Sequence, residues 1–561
     1  MGTVRGVEEG GIARKLWIKF KSHSVFAKYT PFFVCLASGH LNSDTFLHFI
    51  SQDIPFLDAF FRAYELAEEC ADDEDDKSAI RELRKRVEDR LKKQDTFVRQ
   101  WGFEPLKECP FSNLRVKFTD FLMATAAGKV EGEKVPGKIA TPFEKTKVAA
   151  YTLGAISPCM RLFSFISKEI QAILDPSEGS HVYKKWIDTY CSEEFEEAAS
   201  QTEDLVDRLS ISLTGEELEV IEKLYHQALK LEVDFFSAQP VVQKTIVPLS
   251  SVQVPIEDRL TIFCDFDLAC TTVDSSAFLA EIAIVTATKI DAADGSETRL
   301  SRMSSAELRS TWGVISNQYT DEYESCIESV VSGETVAEFN YESLHKALEQ
   351  LADFEKNANL RVVQSGVLKG LCMEDIRRAG QSLVLQDGCR GFFEKIVKSE
   401  NFVTDVHVLS YCWCGDLIRS AFSSGDLNVL KVHSNELAYQ ESISTGEIVK
   451  KVESPMEKLQ AFNNIVKDSH SRDKCLTIYI GGSVGDLLCL LEADIGIVIG
   501  SSSSLRRLGG CFGISFVPLF SGLVEKQREI CEGRFSGWKG RSGILYTVSS
   551  WAEIHAFLLG S

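Results

Sequence analysis

The chain is short of positive charge. Its 61 Lys and Arg face 82 Asp and Glu, a net charge of -21 over 561 residues. Such a surface repels a phosphate backbone, which argues against nucleic acid as a partner. Long apolar runs are scarce too. Ile495-Gly496-Ile497-Val498-Ile499-Gly500 is far too short for a bilayer, which needs roughly 20 residues, so no membrane partner is expected. No second Cys/His pair stands at finger spacing from Cys412-Trp413-Cys414, and that segment reads as core packing rather than as zinc ligands. The opening stretch carries Glu8 and Glu9 and lacks the Arg/Ser-rich, acid-free pattern of an organelle address. A cytoplasmic location is therefore expected for this form, with a mitochondrial form from an alternative start left open. The 16 cysteines then fit reduced thiols better than a disulfide framework, because the chain is far larger than disulfide-stapled scaffolds. No internal repeat links the two halves.

What is present is ordinary globular material, 44% hydrophobic and 25% charged, in a chain long enough for two to four domains by the usual domain size. Up to about residue 240 the apolar positions recur at helical spacing. Phe46, Phe49, Ile50, Phe56, Leu57, Phe60 and Phe61 outline one face; Leu205, Val206 and Leu209, then Leu218, Ile221, Leu224 and Leu231, outline others. The spacing predicts an all-α bundle over residues 1–243, with the acidic run 72–76 at a loop or helix start. Pro248 and Pro255 mark an extended connector over 244–258. From Leu260 short strand-like runs alternate with helices, near 406–410, 476–480, 495–499 and 514–517. This predicts an α/β, doubly wound parallel sheet over 259–561. The helical stretch from about 276 to 375 is too long for a crossover and reads as an inserted cap.

Chemistry concentrates at the first of these strands. Leu260-Thr261-Ile262-Phe263-Cys264 runs into Asp265-Phe266-Asp267, so two carboxylates leave the strand's C-terminal end, where open α/β sheets place their ligands. One carboxylate can attack phosphorus while the other handles the leaving-group proton, with a divalent cation screening their repulsion. Ser410 ends the next strand, Lys458 lies in an amphipathic helix, and Gly481-Gly482-Ser483-Val484-Gly485-Asp486 ends a third strand. A hydroxyl and an ammonium aimed at one spot would hold phosphate oxygens, and Asp486 could hold a cation.

This order resembles the haloacid dehalogenase (HAD) superfamily of phosphatases over roughly residues 259 to 525. The resemblance implies that Asp265 is a nucleophile forming an aspartyl phosphate and that Asp267 is the general acid/base. It implies that Ser410 and Lys458 bind the phosphoryl group, and that Asp265, Asp267 and Asp486 hold Mg²⁺. Ala269 departs mildly from the family pattern, which has Thr or Val there. Gly482 departs more seriously, because the family supplies a metal-binding aspartate at that place. The expectation is a phosphatase that needs more magnesium, with aspartate at 482 restoring tighter metal binding; water would fill the missing ligand position.

The helical half carries one unusual polar or reactive residue in each of several apolar settings. Asp53 lies in Gln52-Asp53-Ile54-Pro55-Phe56, Phe121 in Phe118-Thr119-Asp120-Phe121, Cys159 in Pro158-Cys159-Met160-Arg161-Leu162-Phe163, and Glu232 in Leu231-Glu232-Val233-Asp234-Phe235. Pro158 is expected to kink its helix beside Cys159. A thiol beside carboxylates and aromatic rings could add to a flat heteroaromatic ring while a carboxylate moves protons. A buried cysteine serving only as core is the alternative.

With Tyr183-x-x-Trp186-x-x-x-Tyr190, these segments resemble the TenA (thiaminase II) family over about residues 12 to 238. The resemblance implies a bundle of the TenA/haem-oxygenase-like kind, a homo-oligomer and usually a tetramer, that needs no cofactor and salvages the pyrimidine of degraded thiamin. It implies Cys159 as nucleophile, Glu232 as proton shuttle, Asp53 as the hydrogen-bonding partner of the aminopyrimidine, and Tyr190 as a substrate-site tyrosine. Phe56, Phe121 and Phe163 stand where bacterial members commonly have tyrosines, so their faces remain for stacking while three hydroxyls are lost.

Together the two halves resemble the plant bifunctional thiamin-salvage proteins. The fusion implies that thiamin monophosphate is the phosphatase substrate and that aminopyrimidines are the substrates of the helical half. Two alternatives stay open for the C-terminal half: a degenerate module that binds or assembles, and a phosphatase for another small ester such as FMN. Trp312 or Tyr319 could stack on a thiazolium cation or serve as structural aromatics.

Overall fold

The computed structural model describes residues 10–105, 111–130, 142–175, 181–251, 259–291, 302–331, 338–399, 403–423, 427, 430–469 and 475–561. Positions 252–258 of the expected connector lie outside them. The chain forms two compact units. One comprises residues 1–252 with 523–535 and 556–561; the other comprises 253–522 with 536–555.

The first unit is helical around one long element, Pro142–Gln171, against which Glu193–Ser210, Gly215–Ser237 and Asp53–Cys70 pack. Local chemistry sets where these helices begin. Thr214 and Glu217 form a reciprocal capping box ahead of Gly215–Ser237, Ser192 caps Glu193–Ser210, and Asp73 caps Glu74–Lys92. The acidic run 72–76 thus serves a helix start. Pro158 lies inside a helix that continues on both sides of it. One expectation is corrected here: Phe143–Gln171 is long and apolar enough to cross a bilayer by length and composition. It instead forms the core of the bundle, with 83% of its apolar window buried; Gly154, Ser157 and Ser164 among its apolar residues hid its length from a search for unbroken runs.

Among the described residues the second unit holds ten strands: β1 Arg259–Cys264, β2 Lys369–Cys372, β3 Thr404–Leu409, β4 Lys431–His433, β5 Glu436–Gln440, β6 Ile443–Val449, β7 Cys475–Gly481, β8 Ile495–Ile499, β9 Ser515–Pro518 and β10 Ile544–Val548. Seven form one parallel sheet in the order β4-β3-β1-β7-β8-β10-β9. Its central strands read as continuous apolar runs because both faces are covered. The fold is the expected α/β doubly wound sheet with a helical cap. The cap region contains Ser275–Asp291, Ser305–Val331 and Tyr341–Ser365. A second, antiparallel sheet β2-β6-β5 was not anticipated.

Register positions the site. Cys264 pairs with Val408 of β3 and with Ile480 of β7, so three strand ends finish side by side. Asp265, Ser410 and Gly482 follow those ends. The strands that succeed β1 leave on both sides of it, making its carboxyl end a topological switch point, where such sheets bind ligands.

Candidate active sites

At the end of β1 the backbone N–H of Asp265 still bonds to Ile480, at 2.9 Å. Its Oδ1 accepts the Phe266 N–H at 2.8 Å and lies 3.2 Å from Lys458 Nζ. Burial pushes the Asp265 carboxyl up and neighbouring Asp486 pushes it further, against the pull of Lys458. Leu268 then adopts a left-handed backbone, φ 57°, a costly conformation for leucine that turns the chain sharply beneath the carboxylates. Ala269 is buried, and its carbonyl accepts the Trp551 indole N–H at 2.9 Å.

Asp267 is held by one residue of the cap. Ser275 donates its N–H to Oδ1 at 2.6 Å and its hydroxyl to Oδ2 at 3.0 Å. Burial raises the Asp267 carboxyl to about 7, Asp274 adding to the rise and the Ser275 bonds opposing it. The Ser410 hydroxyl reaches Asp267 Oδ2 at 3.4 Å while accepting the Cys412 N–H at 3.1 Å, and the residue is fully buried.

Lys458, from the helix Pro455–Ser469, is completely enclosed. Its ammonium sits 2.6 Å from Asp486 Oδ1 and 4.5 Å above the Tyr411 ring. Burial disfavours its charge, but Asp265 and Asp486 outweigh that and raise its pKa. Asp486 is equally committed. Besides Lys458, Tyr479 donates to Oδ1 at 2.8 Å, while Oδ2 accepts the N–H groups of Gly482 and Ser483 at 3.0 and 2.9 Å and the Ser483 hydroxyl at 2.7 Å. Burial pushes its carboxyl up, but Lys458 and these donors outweigh it and leave it lowered.

Asp486 turns both oxygens to protein donors, and Gly482 offers no carboxylate. Among the described residues no group of three or more His, Cys, Asp or Glu side chains is placed to hold a metal.

The expected residues of the helical unit converge. Cys159 and Glu232 are both buried and influence each other electrostatically; the thiol points to the Ala155 carbonyl at 4.0 Å, and Glu232 Oε2 has no hydrogen-bond partner among the described residues. Burial and then Glu232 push the Cys159 thiol well up, so it rests protonated. Burial also raises Glu232. Asp53 is pushed up to about 6 by burial, against the pull of Arg115 and Arg90. Tyr190 accepts a hydrogen bond from Arg90 at 3.2 Å, and Phe163 lies 5.1 Å from the Tyr190 ring. Phe56 packs on Phe60 and Phe118; Phe121 is half-buried, edge-on to Phe118 at 6.1 Å.

Arg115 was not anticipated. It is 1% exposed, lies 3.1 Å from Glu232 Oε1, and stacks over Phe235 at 3.6 Å and Phe56 at 4.2 Å. Its helix, Asn113–Ala126, is capped by Ser112, whose own N–H bonds to Gln52 beside Asp53. The hint in sequence was a lone arginine among apolar positions of a helix facing the expected acids.

A helical unit with a buried Cys–Glu pair and a parallel-sheet unit with a carboxylate pair at its switch point define a two-site hydrolase. The TENA/THI-4/PQQC family matches residues 144–240. Over its whole length the chain is 59% identical to the bifunctional TH2 protein, mitochondrial, of Arabidopsis thaliana, covering 91% of that protein. The chain belongs to the family of this bifunctional TH2 protein, with a TENA/THI-4/PQQC-type helical half. Among solved structures it is similar to a TenA homologue from P. horikoshii (18% identity, 40% of this chain and 97% of that one, TM-score 0.33). It is also similar to a phosphoserine phosphatase captured as a phospho-aspartyl intermediate analogue (15% identity, 45% and 91%, TM-score 0.26).

Proposed function

We propose that the C-terminal unit hydrolyses thiamin monophosphate to thiamin and phosphate, and that the helical unit hydrolyses aminopyrimidine breakdown products of thiamin to hydroxymethylpyrimidine. The observation that carries the first reading is the enclosed Lys458 ammonium set 3.2 Å from the Asp265 carboxylate at the end of β1. An Asp265 oxygen attacks phosphorus and the ester P–O bond breaks, with Asp267 giving its proton to the departing alcohol. Asp267 then takes a proton from water, whose oxygen attacks the aspartyl phosphate and releases phosphate. Lys458 and Ser410 lie beside the transferring group. Magnesium would find Asp265 and Asp267, with water and the ester's own oxygens completing its shell, and would supply neutralisation of phosphate charge. Asp486 serves to fix Lys458 and the loop from 482 to 486.

In the helical unit the Cys159 thiol passes its proton to Glu232 as sulfur adds to the pyrimidine ring. The exocyclic C–N bond breaks, ammonia leaves with that proton, water adds at the freed carbon leaving its proton with Glu232, and sulfur is expelled and regains that proton from Glu232 as the thiol. Asp53 and Tyr190 hold the ring, with Phe56, Phe121 and Phe163 supplying apolar faces. We also propose domain limits of 1–243 and 259–561 joined by 244–258, and a homotetramer formed through the helical half. The name of the Arabidopsis relative supports a mitochondrial rather than a cytoplasmic location, which a fluorescent fusion would report.

The test assays the full chain and Asp265→Asn against a panel of phosphate esters. Release of phosphate from thiamin monophosphate, lost in Asp265→Asn, is expected. The saturated Asp486 and the missing carboxylate at 482 favour a second reading, a binding module without turnover. Failure on every ester would establish that one, and a preference for FMN would establish a different substrate.

A further inference from the structure

Above the aspartates lies a cavity of about 410 Å³, within the ordinary range for small-molecule sites. Its upper wall is aromatic. Tyr319 and Tyr323 of the helix Ser305–Val331 stack at 5.8 Å, and Trp312 from the same helix meets Trp413 edge-on at 6.4 Å. Among these rings stands Glu355 of the helix Tyr341–Ser365, hydrogen-bonded by the Tyr319 hydroxyl at 2.9 Å. Among the described residues no Lys or Arg pairs with Glu355. Arg361 also lines the cavity, but it is paired with Glu322 at 2.6 Å. Asp274 lines it too, adding a second negative charge between Glu355 and Asp267.

A half-buried carboxylate set among aromatic rings without a cation is disfavoured, and this shows in its proton affinity. Burial raises the Glu355 carboxyl to about 7, with Asp274 adding to the rise and the Tyr319 bond opposing it. Ring faces and an uncompensated acid are the two elements that attract a weakly hydrated organic cation.

We propose that Glu355, walled by Trp312, Tyr319, Tyr323 and Trp413, is the counter-ion that selects phosphate monoesters whose alcohol carries a fixed positive charge on a flat or quaternary nitrogen. This deepens the phosphatase reading and rests on it, since the cavity floor is formed by Asp265 and Asp267. Discrimination arises from the charge of the leaving alcohol, while the phosphoryl group is held alike in every ester.

The experiment compares choline phosphate with 3,3-dimethylbutyl phosphate, its uncharged carbon isostere, by calorimetric binding to the full chain. Neither ester contains a pyrimidine, so the helical site does not contribute. The wild-type protein is expected to bind choline phosphate about tenfold more tightly, the scale of a desolvated cation–π contact. Glu355→Gln, which keeps the Tyr319 bond, is expected to reduce that preference to under about threefold and leave the neutral ester unchanged. For thiamin monophosphate the same variant should raise KM about tenfold with kcat held. A preference retained in Glu355→Gln, a parallel loss for both esters, or no binding of choline phosphate overturns the proposal. Cation preference without turnover of thiamin monophosphate would instead sink the substrate assignment and leave the selector standing.

Discussion

A Cβ placed on Gly482 would lie 2.5 Å from the carbonyl oxygen of Ile499. The end of β8 has closed over the position where the HAD pattern carries an aspartate, so the missing carboxylate cannot be returned without moving backbone. Gly482→Asp is therefore expected to lose about 1–3 kcal/mol of stability, the usual cost of overpacking, and to leave the half-activating magnesium concentration no lower. Gly482→Ala should lose a similar amount. Thermal unfolding of both variants beside a magnesium titration checks this; an aspartate variant with wild-type stability and tighter magnesium dependence would refute it.

Asp486 makes the complementary case. Its carboxylate accepts five hydrogen bonds, and one of them holds the enclosed Lys458. Asp486→Asn turns an amide N–H₂ toward existing donors and leaves Lys458 with Asp265 alone. The expected result is a loss of roughly 3–5 kcal/mol in denaturant unfolding, as for other broken buried pairs. Phosphatase kcat should fall by about 10²-fold or more through the misplaced ammonium. The magnesium dependence of the residual activity is expected to be unchanged, and a marked rise would return Asp486 to the metal.

The contrast between these residues shows what a linear sequence can carry. Asp265, Asp267, Ser410 and Lys458 were readable because strand ends in a doubly wound sheet fall at one edge, so their order in the chain maps onto their meeting place. Asp486 was legible as a residue of this edge, while its hydrogen-bond partners were not. Its commitments are to two backbone N–H groups and a tyrosine, none of which has a sequence signature. Glu355 and Arg115 were missed for a related reason. Each acquires meaning only from helices packed beside it: Glu355 from Tyr319 thirty-six positions earlier, Arg115 from Glu232 more than a hundred positions later. The sheet β2-β6-β5 escaped because β2 is four residues long and pairs with a strand about seventy positions away.

Asp53 gives a pH prediction whose sign follows from its raised pKa. Its folded value, about 6, exceeds the 3.8 of a free aspartate, so the folded state binds the extra proton and loses stability as pH rises between the two. Above about 6 the penalty is constant, on the order of 2–3 kcal/mol. Asp53→Asn should remove it. The variant is expected to match wild type near pH 3.5, to gain stability progressively to about pH 6, and to hold that gain above, while aminopyrimidine hydrolysis falls. Denaturant unfolding across pH checks the profile; a stability gap that does not change with pH would contradict it.

Cys159 separates the two activities. Cys159→Ser keeps a small side chain at a fully enclosed site but replaces the thiol with a hydroxyl that Glu232 deprotonates far less readily. Aminopyrimidine hydrolysis is expected to fall below detection, with thiamin monophosphate hydrolysis unchanged in the same sample. Retained aminopyrimidine turnover would remove Cys159 from the role of nucleophile.

Arg115 and Glu232 supply the last test, because their pairing must satisfy two demands. Glu232 needs a cation nearby to tolerate complete burial, yet it must still exchange a proton with Cys159. Arg115 meets both by bonding only Oε1 and spending its guanidinium faces on Phe235 and Phe56. Arg115→Met removes the cation while keeping most of the apolar bulk, and should destabilise the chain by roughly 3–5 kcal/mol by leaving a buried acid unpaired. Adding Glu232→Gln removes that acid's charge, so the double variant should recover at least about 1 kcal/mol relative to additivity, within the range seen for contacting pairs. A denaturation double-mutant cycle measures the coupling. Strict additivity would mean that Arg115 stabilises the bundle through its stacking on Phe235 and Phe56 alone, with Glu232 protonated and indifferent to its neighbour.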